Sequence, residues 1–197
     1  MFIKKSQIPF LIINIIYLLI ATIYYLSRKN YEFMMYVGIV IFIFGVILFT
    51  NKKVNYPNII LGGLTIWGML HMLGGVKVGA SVIYAKMLIG FVGAPYYILR
   101  YDQFVHVFGF GVATLAMFVL LKPFLKFPIK NWTSISILII MAGFGVGALN
   151  EMIEFIATVL VPETGVGGFI NTSLDLVSDF IGAVLAMIYI WIRRGRI

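Results

Sequence analysis

Long apolar segments recur along the chain, and each approaches or exceeds the length of about 18 residues that a helix needs to cross a bilayer. Of the 197 residues, 62% are hydrophobic and only 11% are charged, which is too little charge for the surface of a soluble domain. The apolar residues do not alternate as they do in an outer-membrane barrel. The sequence therefore predicts an all-α fold, a polytopic bundle of transmembrane helices that forms one integral membrane domain over residues 1–197.

Six spans are predicted, separated by turns that contain basic residues, glycine or proline. Their approximate bounds are Pro9–Leu26, Phe33–Thr50, Pro57–Leu73, Tyr101–Leu121, Trp132–Val161 and Thr172–Ile192. The segment 76–100, between the third and fourth spans, is apolar but is interrupted by several glycines and by Pro95. We predict that this segment is re-entrant or lies at the membrane interface.

The distribution of lysine and arginine predicts the orientation of the bundle. With six spans and both termini inside, ten basic residues face the cytoplasm, and five face outward. The ten are Lys4, Lys5, Lys52, Lys53, Lys122, Lys126, Lys130, Arg193, Arg194 and Arg196, and the five are Arg28, Lys29, Lys77, Lys86 and Arg100. A seventh span would move the lysine-rich loop and the arginine-rich tail outside. We therefore predict a multi-pass protein of the cytoplasmic (inner) membrane with both termini in the cytoplasm.

The net charge of +8 does not indicate a nucleic-acid partner, because the basic residues lie in loops and tails where anionic lipid head groups bind them. The lipid bilayer is the expected partner, and no feature of the sequence specifies an oligomeric state. The absence of cysteine excludes thiolate metal ligands and disulfides. Dinucleotide-binding, phosphate-loop, HExxH and nucleophile-elbow motifs are absent from the sequence.

Carboxylates inside the apolar segments are the feature that points to function. A carboxylate at the centre of a membrane helix costs about 2.5–3.5 kcal/mol on insertion scales. Glu32 and Glu163 fall in predicted loops. The other five acidic residues, in or at the ends of the last three spans, are Asp102, Glu151, Glu154, Asp175 and Asp179.

Spacing and depth bring these polar residues together. His106 follows Asp102 by four residues, and Asp179 follows Asp175 by four, so each pair shares a helix face. Counted from the predicted outer helix ends, Asp179 lies roughly 10 Å inside, as does Glu154, and His106 lies roughly 7 Å inside. The sequence thus predicts one polar level near the outer side of the bundle. His71, near the outer end of the third span, is expected at the same level.

Several of these residues also have simpler structural interpretations. Asp102 can stabilise a helix start through the helix dipole. Asp175 follows Thr172 by three residues, which is an N-terminal capping pattern. His71 can be an interfacial residue, and the whole set can be a structural polar network.

Two functional hypotheses remain open. Histidine and carboxylates without a thiol suit a hard or borderline divalent ion such as Zn²⁺, Mn²⁺, Mg²⁺ or Fe²⁺, which could activate water on a lipid-linked or head-group substrate. Alternatively, the residues form a proton or cation relay of a small-molecule transporter. The candidate catalytic residues are Glu151, Glu154 and Asp179. The candidate metal ligands are Asp102, His106, Glu151, Glu154, Asp175 and Asp179. The residues expected to support the ligands or to contact substrate are His71, Asn150, Arg100, Tyr101, Asn171 and Ser178.

Three polar motifs resemble those of a known membrane-protein family. They are Arg100-Tyr101-Asp102-x-x-x-His106, Asn150-Glu151-x-x-Glu154 and Asn171-Thr172-Ser173-x-Asp175-x-x-x-Asp179-x-x-Gly182. Together with His71-Met72-x-Gly74-Gly75 they resemble the bacterial and archaeal proteins typified by YjdF, from the third span onward. More distantly the chain is similar to the VanZ family. VanZ-type proteins tend to have Gln in place of Glu154 and Asn in place of Asp179, so this chain carries more negative charge. The resemblance implies six helices and the polar site, but no particular activity.

Overall fold

The computed structural model describes residues 3–194 and contains six α-helices within them. They are α1 Ile8–Ser27, α2 Tyr31–Val54, α3 Asn58–Gly74, α4 Tyr101–Leu121, α5 Trp132–Leu160 and α6 Phe169–Arg193. The predicted all-α class is confirmed, and α4 has the bounds that the sequence predicts. The main differences are at α2, which is longer at both ends, and at α6, which begins three residues before the predicted Thr172. Arg196, one of the basic residues used to predict orientation, lies outside the described residues.

Five of these helices are long and apolar enough to cross a membrane, whereas α3 is shorter. The 17 residues of α3 extend about 25 Å, slightly less than the roughly 30 Å of a bilayer's hydrocarbon core. A mismatch of this size is met by local thinning of the bilayer at modest cost. The helices α1, α2, α4, α5 and α6 therefore qualify as spans by length and composition, and α3 is a short sixth helix of the same apolar character.

The segment between α3 and α4 contains short strands, in agreement with the prediction that it is not a helical span. Strands β1 (Lys77–Val78) and β2 (Ser81–Val82) pair antiparallel, as do β3 (Met87–Val92) and β4 (Ile98–Arg100). Apolar side chains of the β3–β4 hairpin are exposed on both of its faces: the adjacent residues Leu88, 51% exposed, and Ile89, 61% exposed, point to opposite faces, and Phe91 is 76% exposed. Two exposed apolar faces are unfavourable in water, so the hairpin is expected to dip into the lipid interface.

A fluorophore at Phe91 should report this lipid contact. The chain has no cysteine, so Phe91→Cys gives a single labelling site. We expect an environment-sensitive label at this position to emit at short wavelength and to be quenched by brominated lipids in vesicles. The same label on Glu163→Cys, in the exposed α5–α6 loop, should show water-like emission. Water-like emission from both positions would contradict an interfacial hairpin.

The structure divides into two compact units. The first contains residues up to Lys86 and the segment Glu154–Val166, and the second contains Met87–Ile153 and residues from Gly167 onward. The predicted single membrane domain stays a prediction.

Polar side chains connect the helices of the first unit. Asn14 donates to Thr65 Oγ1 at 2.8 Å, which links α1 to α3. Asn51 of α2 donates to Gln7 Oε1 at 2.7 Å, just before α1. Hydrogen bonds of this kind satisfy polar groups that lipid cannot solvate and thereby contribute to helix association.

The sequence predicted that Glu32 lies in a loop, and this prediction is wrong. Glu32 lies in the first turn of α2, where it is buried. One of its carboxylate oxygens accepts the Gly165 N–H at 2.7 Å, and the other lies 3.3 Å from the hydroxyl of Tyr36. The helix starts two residues earlier than predicted because Asn30 caps it by accepting the Phe33 N–H. Glu32 therefore anchors the α5–α6 loop.

Small residues bring the helices of the second unit close together. A Cβ atom at Gly182 of α6 would overlap the Val107 carbonyl of α4, and one at Gly147 of α5 would overlap the Asp179 carboxylate of α6. The absence of a side chain at these two glycines therefore allows the helices to pack closely. Further along the same helices, an apolar core is formed by Phe118, Ile139, Met187 and Ile190.

The predicted orientation can be tested with the same cysteine-free background. We expect Glu163→Cys to react with an impermeant thiol reagent added outside intact cells. The matched variant Lys126→Cys, in the exposed loop after α4, should react only after the membrane is opened. The reverse pattern would show that the positive-inside assignment is wrong.

Candidate functional site

The polar residues of α4 begin at its first turn. Asp102 lies in that turn, where the helix dipole favours an acid, and its side chain is 18% exposed. His106, one turn further along, is buried. Its Nε2 atom lies 3.7 Å from Asp102 Oδ1. The dipole interpretation of Asp102 is therefore compatible with a place in the site.

Asp175 and Asp179 of α6 are both fully buried. Asp179 Oδ1 lies 2.8 Å from His106 Nδ1, which is hydrogen-bonding distance. The capping interpretation of Asp175 is wrong, because α6 begins at Phe169 and Thr172 lies inside the helix. Asp175 thus lies about 9 Å and Asp179 about 15 Å along α6 from its first residue.

Glu151 of α5 approaches the same imidazole. Its Oε1 atom lies 3.7 Å from His106 Nδ1 and 3.4 Å from the side-chain amide of Asn150, which donates to it. Glu151 is 8% exposed. Three helices thus place four carboxylates around one histidine within the second unit.

Asn171, near the start of α6, joins two of these carboxylates. Its side-chain amide donates to Asp175 Oδ2 and also lies 3.4 Å from Asp102 Oδ2. This contact connects α6 to α4 and leaves Asp102 Oδ1 directed toward His106. Asn171, which the sequence suggested as a residue that supports the ligands or contacts substrate, is thereby brought to the site.

The cluster has more negative charge than its own residues can neutralise. Within residues 3–194, neither Glu151 Oε2 nor Asp179 Oδ2 has a hydrogen-bond partner, although both atoms are buried. An uncompensated buried charge costs several kcal/mol. The four carboxylates therefore require protons, a bound cation or both.

Two sets of three residues have the spacing of metal ligands. Asp102, His106 and Asp175 form one set, and His106, Glu151 and Asp179 form the other; in each set the potential ligand atoms all lie within 4.8 Å of one another. Two ligand atoms bonded to one ion at about 2.0–2.2 Å lie at most about 4.4 Å apart, so atoms within 4.8 Å of one another need only small shifts to bind a common ion. The two sets share His106 but lie on different sides of its ring. Asp102, of the first set, is near Nε2, whereas Glu151 and Asp179, of the second set, are near Nδ1.

Four further residues that the sequence predicted for the site are Ser178, Tyr101, Glu154 and His71. The Ser178 hydroxyl donates to the Leu174 carbonyl of its own helix, so its polar group is already used. Tyr101 is the first residue of α4 and is half-buried. Glu154 and His71 belong to the first unit, and their predicted membership in the site stays a prediction. His71 is buried there, with its ring stacked on Trp67 at 5.4 Å and its Nδ1 paired with the Tyr84 hydroxyl.

Gln103 is a residue near the site that the sequence reasoning missed. It directly follows Asp102 in α4 and is buried. Its side-chain oxygen accepts the Leu99 N–H at 2.6 Å. An uncharged amide in a first helical turn resembles an ordinary surface residue in the sequence. The sequence feature that could have identified Gln103 is its place as the third residue of a helix that directly follows a strand. At that position a Gln side chain can accept hydrogen bonds from the backbone just before the helix.

The family model described as "Predicted membrane protein (DUF2238)" matches residues 9–196. The chain belongs to the DUF2238 family. This match covers α2 to α6 and all but the first residue of α1, so the membrane character of the fold is a property of the DUF2238 family as well as of this chain. No curated protein and no solved structure matches the chain. The clustered residues Asp102, His106, Glu151, Asp175 and Asp179 all lie within the part matched by the DUF2238 model.

Proposed function

We propose that the cluster binds a divalent metal ion and that the chain is a metal-dependent membrane enzyme acting on a lipid-linked or head-group substrate. The observation that carries this proposal is the excess negative charge of four carboxylates around one imidazole, of which Glu151 Oε2 and Asp179 Oδ2 are buried and have no hydrogen-bond partner within residues 3–194. A divalent ion would supply the missing positive charge.

The geometry favours an ion on the Nε2 side of His106, held by Asp102, His106 and Asp175. The 3.7 Å separation of His106 Nε2 and Asp102 Oδ1 is typical of two ligands of one ion. By contrast, the 2.8 Å separation of His106 Nδ1 and Asp179 Oδ1 is that of a hydrogen bond. A metal-binding histidine usually donates its second ring N–H to a carboxylate, and Asp179 is suited to this role.

The ligand set indicates which ions and chemistry suit the site. One imidazole with carboxylates fits Zn²⁺, Mn²⁺, Mg²⁺ or Fe²⁺. Such an ion would polarise a phosphoryl or carbonyl oxygen and lower the pKa of a bound water. Glu151 Oε2, which has no hydrogen-bond partner within residues 3–194, is suited to accept a proton.

A proton- or cation-coupled transporter is the second candidate. The observation that favours it is the position of His106 between Asp102 on one side and Asp179 with Glu151 on the other. An imidazole flanked by carboxylates at 2.8–3.7 Å can pass a proton between them. A purely structural network is the third candidate.

We place the protein in the cytoplasmic membrane with the cluster toward the outer side. The count of basic residues supports this orientation. The motif resemblance to YjdF-type proteins, and more distantly to VanZ-type proteins, supports the polar site but implies no particular activity.

Metal analysis of the purified protein tests the proposal. We expect a divalent ion near one equivalent, and we expect chelation to lower the melting temperature in detergent. His106→Ala should abolish both the bound ion and the chelator effect. Ser178→Ala, next to Asp179 on α6, is the matched control and should behave as the wild type because, among residues 3–194, the Ser178 hydroxyl bonds only to the Leu174 carbonyl of its own helix.

The alternatives give different results. No bound metal, with melting unchanged by chelator, would overturn the metal proposal. Proton uptake coupled to solute movement in vesicles would then identify the transporter, and its absence would leave the structural network.

A further inference from the structure

The backbone that leads into α4 has an unusual conformation. Tyr97 and Leu99 both have positive φ, 49° and 72°, which residues other than glycine rarely adopt. Strained residues persist where the surrounding structure fixes them, and they occur often at functional sites. This segment ends at Arg100, two residues before Asp102.

Gln103 holds this segment in place. Its Oε1 atom accepts the N–H groups of Leu99 at 2.6 Å and of Arg100 at 3.3 Å. Its Nε2 atom donates to the Tyr97 carbonyl at 3.3 Å. One buried side chain therefore fixes the strained backbone to the same helical turn that carries Asp102.

The guanidinium of Arg100 is positioned but not neutralised. It lies 4.5 Å from the centroid of the Tyr97 ring, a cation–π contact that restricts its motion. Across residues 3–194 it forms no ion pair within 4.0 Å, and its buried Nε has no hydrogen-bond partner. It is still close enough to Asp102 to interact with it electrostatically. A fixed guanidinium with unused donors is a binding group for a planar or tetrahedral oxyanion.

We propose that Arg100 binds a phosphate group of the substrate beside the metal ion, so that the substrate class is a phosphate ester. This inference rests on the proposed function, because the ion and Arg100 would bind different oxygens of one phosphate. Phosphate has enough oxygens to accept two hydrogen bonds from Arg and to bind a divalent cation at the same time. The α4 start is also expected at the outer membrane surface, the level of lipid head groups.

Phosphate binding can be measured separately from metal binding. Purified protein in a zwitterionic detergent, loaded with Mn²⁺, is titrated with inorganic phosphate and, in a second arm, with dihexanoyl phosphatidic acid. We expect Arg100→Gln to weaken binding of the preferred probe by about 10- to 100-fold. Its Mn²⁺ content should not change. Arg100→Lys should lose less, because it keeps the charge but not the two-pronged geometry.

Arg193 provides a matched control. It also lies over a tyrosine ring, at 5.6 Å from the Tyr189 centroid, but it is fourteen residues after Asp179 on α6, or about 21 Å away. Arg193→Gln should bind both probes as the wild type does. Tighter binding of phosphatidic acid than of inorganic phosphate would identify a lipid phosphate as the source, and the opposite preference a free phosphate.

The outcomes separate this inference from the proposed function. Equal phosphate affinity in wild type and Arg100→Gln, or no phosphate binding by the wild type, would overturn the role of Arg100 while Mn²⁺ binding stands. If the wild type binds no Mn²⁺, the metal proposal fails. The role of Arg100 alone is then decided by comparing the phosphate affinities of Arg100→Gln and the wild type, both measured without added Mn²⁺. If Arg100→Gln does not fold, the phosphate affinity of Arg100→Lys relative to Arg193→Lys decides it.

Discussion

Asp175→Asn is expected to abolish metal binding, whereas Asp179→Asn should weaken it by only about 10- to 100-fold. Asp175 belongs to the set on the Nε2 side of His106, so its loss removes a ligand. Asp179 lies at hydrogen-bond distance from Nδ1 and orients the ring, and an Asn oxygen can still accept that hydrogen bond. The measurement is a calorimetric titration of metal-free protein with Mn²⁺ or Zn²⁺.

The two variants should differ little in stability without metal. Each replaces a buried carboxylate by an amide of similar size, which removes repulsion within the cluster, so the metal-free melting temperature should stay the same or rise. Complete loss of binding in Asp179→Asn together with retained binding in Asp175→Asn would place the ion on the Nδ1 side. That outcome would favour the catalytic and ligand roles that the sequence suggested for Glu151 and Asp179.

Gly182→Ala should give the largest loss of stability among the glycine substitutions of α5 and α6. The added Cβ would overlap the Val107 carbonyl and lie 2.9 Å from the Gly111 backbone nitrogen. Backbone atoms cannot move aside as a side chain can, so α6 must shift away from α4. We expect destabilisation of about 1–3 kcal/mol or more, measured by melting in detergent, together with weaker metal binding.

Gly145→Ala is the control with the opposite expected sign. Gly145 lies within α5, and a Cβ added there would meet no atom within 4 Å, so nothing obstructs the methyl group. Alanine favours a helix over glycine by up to about 1 kcal/mol. Gly145→Ala should therefore leave stability unchanged or raise it. Equal loss in the two variants would contradict the close contact at Gly182.

Helix positions and the identity of the cluster could be predicted because both follow from simple spacing. The apolar runs predict the helices within a few residues, and intervals of four place His106 with Asp102 and Asp179 with Asp175. The cost of burying charge then brings these residues together, since each needs a partner.

The parts that could not be predicted depend on tertiary contacts. Glu32 looked like a loop residue because its partner, the Gly165 N–H, is more than a hundred residues away. Asp175 looked like a capping partner because the glycines before α6 do not show that the helix begins at Phe169. Three of the strands between α3 and α4 have only two or three residues, too few for an alternating pattern, and the six residues of β3 are apolar or glycine throughout and do not alternate.

The α4–α6 pair is joined in two ways that respond differently to charge. At Gly182 the two backbones are in close contact, and the atoms that an added Cβ would meet are backbone atoms of Val107 and Gly111, which carry no net charge. About 10 Å or more away along α6, polar groups connect the same helices, because Asn171 donates both to Asp102 of α4 and to Asp175 of its own helix. The two helices are therefore expected to pivot at the glycine contact and to move apart where the carboxylates lie. Without the ion, repulsion between the carboxylates would separate the helices at the carboxylate end, while the glycine contact would stay in place. The free energy needed to bring that end together again would lower the observed affinity for the ion.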